Sequence, residues 1–131
     1  MESAVSPFLM FEGHCEEALN LYISTIPNSR IINIRKYGAG EQGKEGSVML
    51  AQADIGGLPL MCNDSSVHHA FTFTPSSSLF VTCKSEAEFD KIASELGKGG
   101  GVLMTPANYG FSRKFTWFND RFGVSWQVNL A

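Results

Sequence analysis

The chain has 131 residues, enough for one domain, and its ten Lys and Arg against thirteen Asp and Glu give a net charge of −3. Because no basic run accompanies this acidic balance, the composition argues against a nucleic-acid partner. No apolar stretch reaches the roughly 18 residues that a membrane-spanning helix needs, so we expect no membrane partner. Residues 1–4 carry neither the positive charge nor the apolar core of a signal peptide.

The cysteines indicate the redox compartment. Cys15, Cys62 and Cys83 are widely spaced and include no C-x-x-C pair. An odd number of isolated cysteines is typical of free thiols in a reducing compartment and not of a disulfide scaffold. We therefore expect a cytoplasmic protein.

The first half of the chain predicts one helix and four strands. Residues 9–11 form a short apolar run that favours a strand. The helix that follows has apolar residues at i, i+3, i+4 and i+7, and it ends before Pro27. Further strands are predicted at 31–37, 47–55 and 58–62, with glycines between them. The helical face consists of Leu19, Tyr22, Ile23 and Ile26.

The second half repeats this order about 70 residues later, a spacing that relates Leu19 to Phe89. A strand at 79–81 precedes a helix, and strands at 102–105, 114–118 and 124–130 follow it. Ser85 and Glu88 form an S-x-x-E capping box, in which each side chain can bind the other residue's backbone N–H. Gly97 ends the helix, whose apolar face consists of Phe89, Ile92, Ala93 and Leu96.

The repeat predicts the fold class. We expect one α+β domain over residues 1–131, with β-α-β-β-β modules at about 5–62 and 79–131 and a linker at 63–78. The two modules would pair into a curved, mostly antiparallel sheet with the helices outside, and a ligand would sit on its concave side. An ordinary α+β sandwich with halves that are alike by chance is the alternative.

Four segments carry a family resemblance. They are Pro7 to Gly13, Cys15 to Leu19, Leu60-Met61 with Asp64, and Asp120 to Gln127, which contains D-R-F-G-x-x-W. On these segments the sequence resembles the PhnB-like branch of the vicinal oxygen chelate superfamily, which includes glyoxalase I, bleomycin- and fosfomycin-resistance proteins and extradiol dioxygenases. The resemblance spans nearly the whole chain and implies a homodimer, because superfamily members commonly work as dimers.

PhnB-like proteins have also carried a demethylubiquinone methyltransferase description. The glycine run from Gly97 to Gly101 precedes a predicted strand. A nucleotide-binding loop instead follows a strand and opens a helix. The residues therefore do not support methyl transfer.

The resemblance also implies metal-ligand positions on the first and last strands of each module. None of these positions holds a histidine or a carboxylate, the ligands that a divalent ion needs. We therefore expect no metal and no other cofactor, and one divalent metal ion in a non-standard site is the alternative. The positions are Pro7 or Phe8, Met61, Ser77 or Ser78, and Gln127.

The last predicted strand alternates between apolar and polar residues. Val124, Trp126, Val128 and Leu130 share one face and should pack under the helices. The polar set of Ser125, Gln127 and Asn129 should then face the concave side. Ser125 and Gln127 are therefore candidate ligand-binding residues.

Other candidates come from the second module and the linker. Tyr109, Trp117 and Arg113 could form the wall of the pocket, because the two aromatic rings offer rigid contact area and Arg113 can hold a carboxylate or phosphate. Asp64 could accept hydrogen bonds and His69 could contact a ligand, although both are also ordinary loop residues.

These observations favour metal-free binding of a small polar or amphipathic molecule in the concave sheet. The alternative is a divalent-metal-dependent lyase, isomerase or dioxygenase of the glyoxalase superfamily. A third possibility is a structural or regulatory partner that acts through the dimer surface alone. Fold resemblance does not decide among these functions.

Overall fold

The computed structural model describes residues 3–131, which divide into two compact units. The first unit extends to His69 and the second begins at Ala70, so the boundary falls inside the predicted linker. Each unit contains one helix and one four-stranded sheet in the order β-α-β-β-β. The structure confirms the α+β class and the two tandem modules.

In the first unit the outer strand β1 lies parallel to β4, with Phe8 opposite Met61. The remaining pairs are antiparallel, and the strand order is β1-β4-β3-β2. Helix α1 packs on one face of this sheet. The elements are β1 (Phe8–Phe11), α1 (Cys15–Thr25), β2 (Arg30–Lys36), β3 (Val48–Ile55) and β4 (Leu58–Asp64).

The second unit repeats this topology, with β5 parallel to β8 and Ser78 opposite Ser125. Its strand order is β5-β8-β7-β6, and α2 packs on one face of the sheet. Both sheets are therefore mostly antiparallel, as predicted. The elements are β5 (Ser78–Cys83), α2 (Glu86–Gly97), β6 (Gly101–Ala107), β7 (Lys114–Asn119) and β8 (Ser125–Leu130).

The predicted helical faces lie in the cores of the two units. Leu19 and Tyr22 of α1 are fully buried, as are Phe89, Ile92 and Leu96 of α2. Such spacing places these side chains on the stripe of each helix that meets the sheet. Within the described part of the chain, no helix combines the length and apolar character needed to span a membrane.

The capping of α2 differs from the predicted box in one hydrogen bond. Ser85 Oγ accepts from the N–H of Glu88 at 3.2 Å, as expected. The Glu88 carboxylate, however, accepts from the N–H of Lys84 at 3.2 Å and not from that of Ser85. The Glu88 carboxylate therefore binds the backbone of Lys84, the residue before the N-cap. Hydrogen bonds thus hold the segment entering α2 at both Lys84 and Ser85.

Candidate functional site

The face of the second sheet that points away from α2 carries three of the seven predicted ligand residues, Trp117, Ser125 and Gln127. Trp126, Val128 and Leu130 are buried on the α2 side, as the alternation of β8 predicted. Because side chains alternate along each strand and residues in register share a face, the opposite side is fixed by pairing. We call it the open face; it comprises Ser78, Phe80, Thr82, Phe115, Trp117, Asn119, Ser125, Gln127 and Asn129.

Gln127 occupies the centre of the open face. Its neighbours in register are Phe80 on β5 and Trp117 on β7. The Gln127 Nε2 donates to Ser78 Oγ at 2.7 Å, and this bond fixes the direction of the amide. The structure therefore places two of the candidate ligand residues, Gln127 and Trp117, side by side on the open face.

Ser125 lies on the same face but is almost completely buried, at 1% exposure. Its Oγ accepts from the indole Nε1 of Trp117 at 2.9 Å and donates to the carbonyl oxygen of Pro75 at 3.3 Å. The hydroxyl is thus committed to protein partners on both sides. Ser125 positions the Trp117 ring rather than offering a polar atom at the surface.

An aromatic cluster borders this face and surrounds Phe115, which is 4% exposed. The Phe115 ring centroid lies 4.9 Å from that of Phe111, 6.1 Å from that of Tyr109 and 6.4 Å from that of Phe80. The Tyr109 hydroxyl donates to the carbonyl oxygen of Thr105 at 2.6 Å. Tyr109 therefore contributes ring surface here, and its polar atom is already engaged.

Two amide oxygens on the open face have no hydrogen-bond partner among the described residues. Asn119 Oδ1 and Asn129 Oδ1 are both shielded from solvent. Asn119 lies opposite Ser125, and Asn129 lies between Phe115 and Thr82. A buried acceptor without a donor destabilises the fold by about 1–3 kcal/mol, so such groups are few in native proteins. Asn63 Oδ1 in the first unit is a third case.

Sequence reasoning did not select these asparagines as ligand residues. The alternation of β8 placed Asn129 on the polar face, but polar parity alone does not reveal a missing partner. Nothing in the sequence singled out Asn119, because its burial follows from its register opposite Ser125.

The second sheet is almost free of charge. Its four strands contain one residue of the Lys, Arg, Asp, Glu and His types, Lys114. The Lys114 Nζ lies 3.0 Å from Asp90 Oδ1 and 3.5 Å from Glu86 Oε1, both on α2, and the hydrogen bond to Asp90 raises the pKa of Lys114. This charge is therefore on the helix side, and the open face carries none.

Arg113 is not placed beside Gln127. Its Nε donates to the carbonyl oxygen of Ala131 at 2.7 Å, and its backbone N–H donates to that of Leu130. These bonds hold the guanidinium at the far end of β8, four residues beyond Gln127. Arg113 thus holds the end of β8 beside the start of β7.

Asp64 belongs to the first unit, where it is 3% exposed. Its Oδ1 accepts from the N–H of Gly13 at 2.8 Å and of Cys15 at 3.0 Å, and its Oδ2 accepts from the N–H of Val48 at 2.9 Å. The carboxylate joins the start of α1 to β3. This arrangement gives Asp64 a structural role, since both oxygens face the backbone.

His69 also lies in the first unit, with its Nε2 3.0 Å from Ser65 Oγ. Its backbone N–H donates to Glu12 Oε2 at 3.2 Å, while His68 Nδ1 lies 2.8 Å from Glu12 Oε1. The hydrogen bond from His68 is the main cause that lowers the pKa of Glu12. His69 therefore helps to anchor the segment after β4 to the end of β1.

The metal-ligand positions implied by the sequence hold no suitable donors. Phe8 lies opposite Met61, and the equivalent pair in the second unit is Ser78 and Ser125. The sequence predicted Gln127 as the residue of the second unit equivalent to Met61. Strand pairing instead makes Ser125 the equivalent residue, two positions earlier in the chain. The turn before β8 is longer than the Gly56-Gly57 turn before β4, and this difference explains the shift.

Phenyl, thioether and hydroxyl groups do not replace the carboxylate and imidazole ligands that divalent ions prefer. Nowhere in residues 3–131 do three or more His, Cys, Asp or Glu side chains come together in a group that could hold a metal ion. The residues present therefore do not fit the metal centre that the superfamily implies.

The glycine run has a packing explanation. It joins the end of α2 to the start of β6, so it lies at a helix C-terminus and not at an N-terminus. A Cβ at Gly100 would come within 1.9 Å of the Asn119 carbonyl oxygen, and only glycine permits this approach. The run does not have the placement of a nucleotide-binding loop.

Comparisons with known proteins place the chain in a family. A family model described as 3-demethylubiquinone-9 3-methyltransferase matches residues 3–129. A PhnB protein from Bacillus cereus is 47% identical, with a TM-score of 0.95, over 98% of this chain and 100% of that one. Protein PA1353 from Pseudomonas aeruginosa is 26% identical, with a TM-score of 0.77, over 98% of both chains.

A more distant structure shows the fold alone. The glyoxylase/bleomycin resistance protein/dioxygenase domain from Frankia sp. EAN1pec is 14% identical, with a TM-score of 0.64, over 100% of this chain and 98% of that one. None of the curated proteins matches the chain. Because the family model spans nearly the whole sequence, the chain belongs to the PhnB-like family, described as 3-demethylubiquinone-9 3-methyltransferase, within the vicinal oxygen chelate superfamily.

Proposed function

We propose that the protein binds a small polar or amphipathic molecule, without a metal ion, on the open face of the second unit. The observation that carries this proposal is an uncharged face on which the Gln127 amide lies between the exposed ring of Phe80 and the indole of Trp117. An apolar surface that also presents a few fixed polar atoms is typical of small-molecule sites. A ligand that packs on Phe80 and hydrogen-bonds the Gln127 amide would use both kinds of surface.

Gln127 and Trp117 would orient the ligand. The Gln127 amide is held by Ser78 and the Trp117 ring by Ser125, so neither side chain needs to reorganise on binding. Such preorganisation reduces the entropy lost on association. Phe80, which is 56% exposed beside Gln127, offers a flat apolar surface for the rest of the ligand.

Methyl transfer receives no support from the residues. The description of the family names a methyltransferase, but the glycine run lies at the end of α2 and packs against Asn119. We therefore derive no step that uses a nucleotide-like methyl donor.

The binding proposal can be tested with benzamide, which combines a ring with an amide. We expect saturable shifts of the Trp117 indole and Gln127 side-chain amide resonances in ¹H–¹⁵N spectra of the full chain. Gln127→Leu should weaken binding at least about fivefold, because it removes the polar atoms at the centre of the face. Gln52→Leu, at an exposed position on β3, is the matched control and should leave binding unchanged. Shifts confined to other residues would contradict the proposal.

The metal-free part has its own test. Native mass spectrometry of the untagged protein, purified without chelator, should show no stoichiometric adduct after exposure to Mn²⁺ and then Zn²⁺. About one retained ion per chain would instead favour the lyase, isomerase or dioxygenase alternative.

We also propose that the protein works as a homodimer. The edge strand β6 supports this, because it contains no charged residue and exposes Val102 at 61% and Leu103 at 44%. Exposed apolar side chains that lie together are typical of contact surfaces between proteins. Sedimentation analysis should give twice the mass of one chain, and a monomer would contradict the proposal.

A further inference from the structure

We infer that Asn129 recognises a carbonyl oxygen of the ligand, to which its side-chain amide donates a hydrogen bond while a ring of the ligand packs on the phenyl groups beside it. The inference rests on the proposed binding function and deepens it in two respects. It adds Asn129 as the residue that determines specificity. It also narrows the ligand to ring-bearing molecules with a carbonyl group.

The side-chain amide of Asn129 directs its donors away from the core. Its Oδ1 is shielded from solvent and accepts no hydrogen bond from the described residues. Its Nδ2 is not shielded, and no acceptor within residues 3–131 binds it. An asparagine amide carries two N–H donors on this nitrogen. Because Asn129 shares the open face with Gln127, these donors are available to a molecule that binds there.

Aromatic rings lie beside these donors. Asn129 is opposite Phe115 in register, and the Phe115 ring lies against the rings of Phe80 and Phe111. The last two are 56% and 63% exposed, so they offer apolar surface to a ligand. Aromatic rings pack well in offset-stacked and edge-to-face arrangements. A ligand ring held by either phenyl group would bring a substituent within reach of the Asn129 amide.

The exposed donors make this position selective for an acceptor. A ring without an acceptor would displace the water from the Asn129 N–H groups and leave them unpaired, which is unfavourable. A ring with a carbonyl oxygen at the same place would restore the hydrogen bond. Sites that hydrogen-bond their ligand discriminate strongly against analogues that lack the bonded group. A carbonyl oxygen is also a neutral acceptor, which suits a face whose strands direct their one charged side chain, Lys114, to the α2 side.

Asn119 provides a matched comparison on the same face. Its Oδ1 is likewise shielded and without a partner among the described residues. It lies opposite Ser125, which precedes Asn129 by four residues on β8, so the two asparagines are about 13 Å apart along the strands. The exposed phenyl groups lie at the Asn129 end. A ligand ring on those groups would therefore reach Asn129 and not Asn119.

Two probes of nearly the same shape test this recognition on the full chain. Acetophenone carries a carbonyl oxygen on a phenyl ring, and α-methylstyrene carries a CH₂ group in its place. Titrations would follow the Trp117 indole and the Asn129 side-chain amide in ¹H–¹⁵N spectra. We expect both probes to shift open-face resonances. Only acetophenone should move the Asn129 amide protons downfield, as hydrogen bonding to an acceptor does.

A pair of variants assigns the hydrogen bond to one residue. Asn129→Leu keeps the shape of the side chain but removes both donors, so the ratio of acetophenone affinity to α-methylstyrene affinity should fall at least about fivefold. The ratio is used because it cancels the difference in hydrophobicity between the probes. Asn119→Leu removes the same group at the other end of the face and should leave the ratio unchanged.

The possible failures are distinguishable. If the ratio did not change in Asn129→Leu while acetophenone still shifted open-face resonances, the role of Asn129 would be overturned and the proposed function would stand. An equal fall in Asn119→Leu would also overturn that role, because recognition would then not depend on the phenyl groups beside Asn129. If neither probe shifted an open-face resonance, both this inference and the proposed function would fail.

Discussion

The indole Nε1 of Trp126 donates to Oδ2 of Asp120 at 3.0 Å, and both side chains are buried. The other carboxylate oxygen of Asp120 accepts from the N–H groups of Phe122 and Val124, at 2.8 and 3.0 Å. One carboxylate therefore closes the β7–β8 turn and fixes the largest side chain of the core. This accounts for the first and last residues of D-R-F-G-x-x-W without any catalytic role.

The arginine of the same motif binds the end of α2. Arg121 Nε donates to the carbonyl oxygen of Lys98, and its Nη2 donates to that of Glu95, both at 3.2 Å. Carbonyl groups at a helix C-terminus lack partners within the helix, and a cation there also interacts favourably with the helix dipole. The most specific motif of the sequence is thus a structural clamp between a turn and a helix.

Replacing Asp120 should destabilise the protein strongly. Asp120→Ala removes the acceptor of the N–H groups of Phe122 and Val124 and of the Trp126 indole, so the free energy of unfolding should fall by about 2–4 kcal/mol. The free energy of unfolding of Asp120→Asn should lie between those of Asp120→Ala and the wild type. The amide oxygen can still accept hydrogen bonds, whereas the amide NH2 that replaces the second oxygen cannot. Urea denaturation measures both, with exposed Glu95→Gln as the control. A loss below about 1 kcal/mol for the alanine variant would contradict the clamp.

Asp64 should prove structural in the same way. Asp64→Ala removes the acceptor of Gly13, Cys15 and Val48, and we expect the free energy of unfolding to fall by about 2–4 kcal/mol. The exposed Glu45→Ala should stay within about 0.5 kcal/mol of the wild type. If Asp64→Ala kept its stability but lost benzamide binding, the residue would belong to the ligand site as the sequence suggested.

The cap of α2 offers a matched pair of serines. Ser85→Ala removes the acceptor of the Glu88 N–H and should lower the free energy of unfolding by about 1 kcal/mol. Ser94→Ala lies in an exposed position inside the same helix, where alanine is the better helix former, so it should be neutral or slightly stabilising. Equal effects of the two substitutions would contradict the capping role.

These local features could be predicted because their causes lie close together in sequence. The spacing of Leu19 and Tyr22 defines a helical face, and Ser85 is three residues from the N–H that it caps. Alternation along β8 likewise predicted that Trp126 and Val128 would be buried, since it depends on neighbours two residues apart. Elements and faces were therefore predicted largely correctly.

The roles of single polar residues could not be predicted in this way. The donors that bind Asp64 lie 16 to 51 residues away, and the carbonyl oxygen that binds Ser125 lies 50 residues away. The parallel pairing of β5 with β8 decides that Gln127 meets Phe80, and no local pattern encodes it. Arg113 was assigned to the pocket wall because arginine can hold a carboxylate or phosphate, and its bond to the carbonyl oxygen of Ala131 is visible only in the folded chain.

The buried cysteines predict a pH-dependent reactivity. Burial, with a smaller effect from the charge of Glu88, raises the pKa of the Cys83 thiol to about 11. At about pH 8, Cys83 should carry about a hundredfold less thiolate than a thiol of ordinary pKa, and its alkylation rate should rise about tenfold per pH unit. Isotope-labelled iodoacetamide and peptide mass spectrometry measure this rate at each cysteine.

The unfolded protein is the control for this experiment. In urea all three cysteines should react alike, whereas in the native protein Cys15 should react slowly too, because a hydrogen bond with Cys62 raises its pKa. Native Cys83 reacting as fast as it does in urea would contradict its burial.

The unpartnered oxygen of Asn129 leads to a prediction about stability. Asn129→Leu replaces a shielded acceptor with an apolar group of similar shape beside Phe115, so the free energy of unfolding should rise by about 0.5–2 kcal/mol. Urea denaturation measures the change, with Asn33→Leu as the control on an exposed strand. A loss of stability above about 1 kcal/mol would instead show that the Asn129 amide holds the fold together.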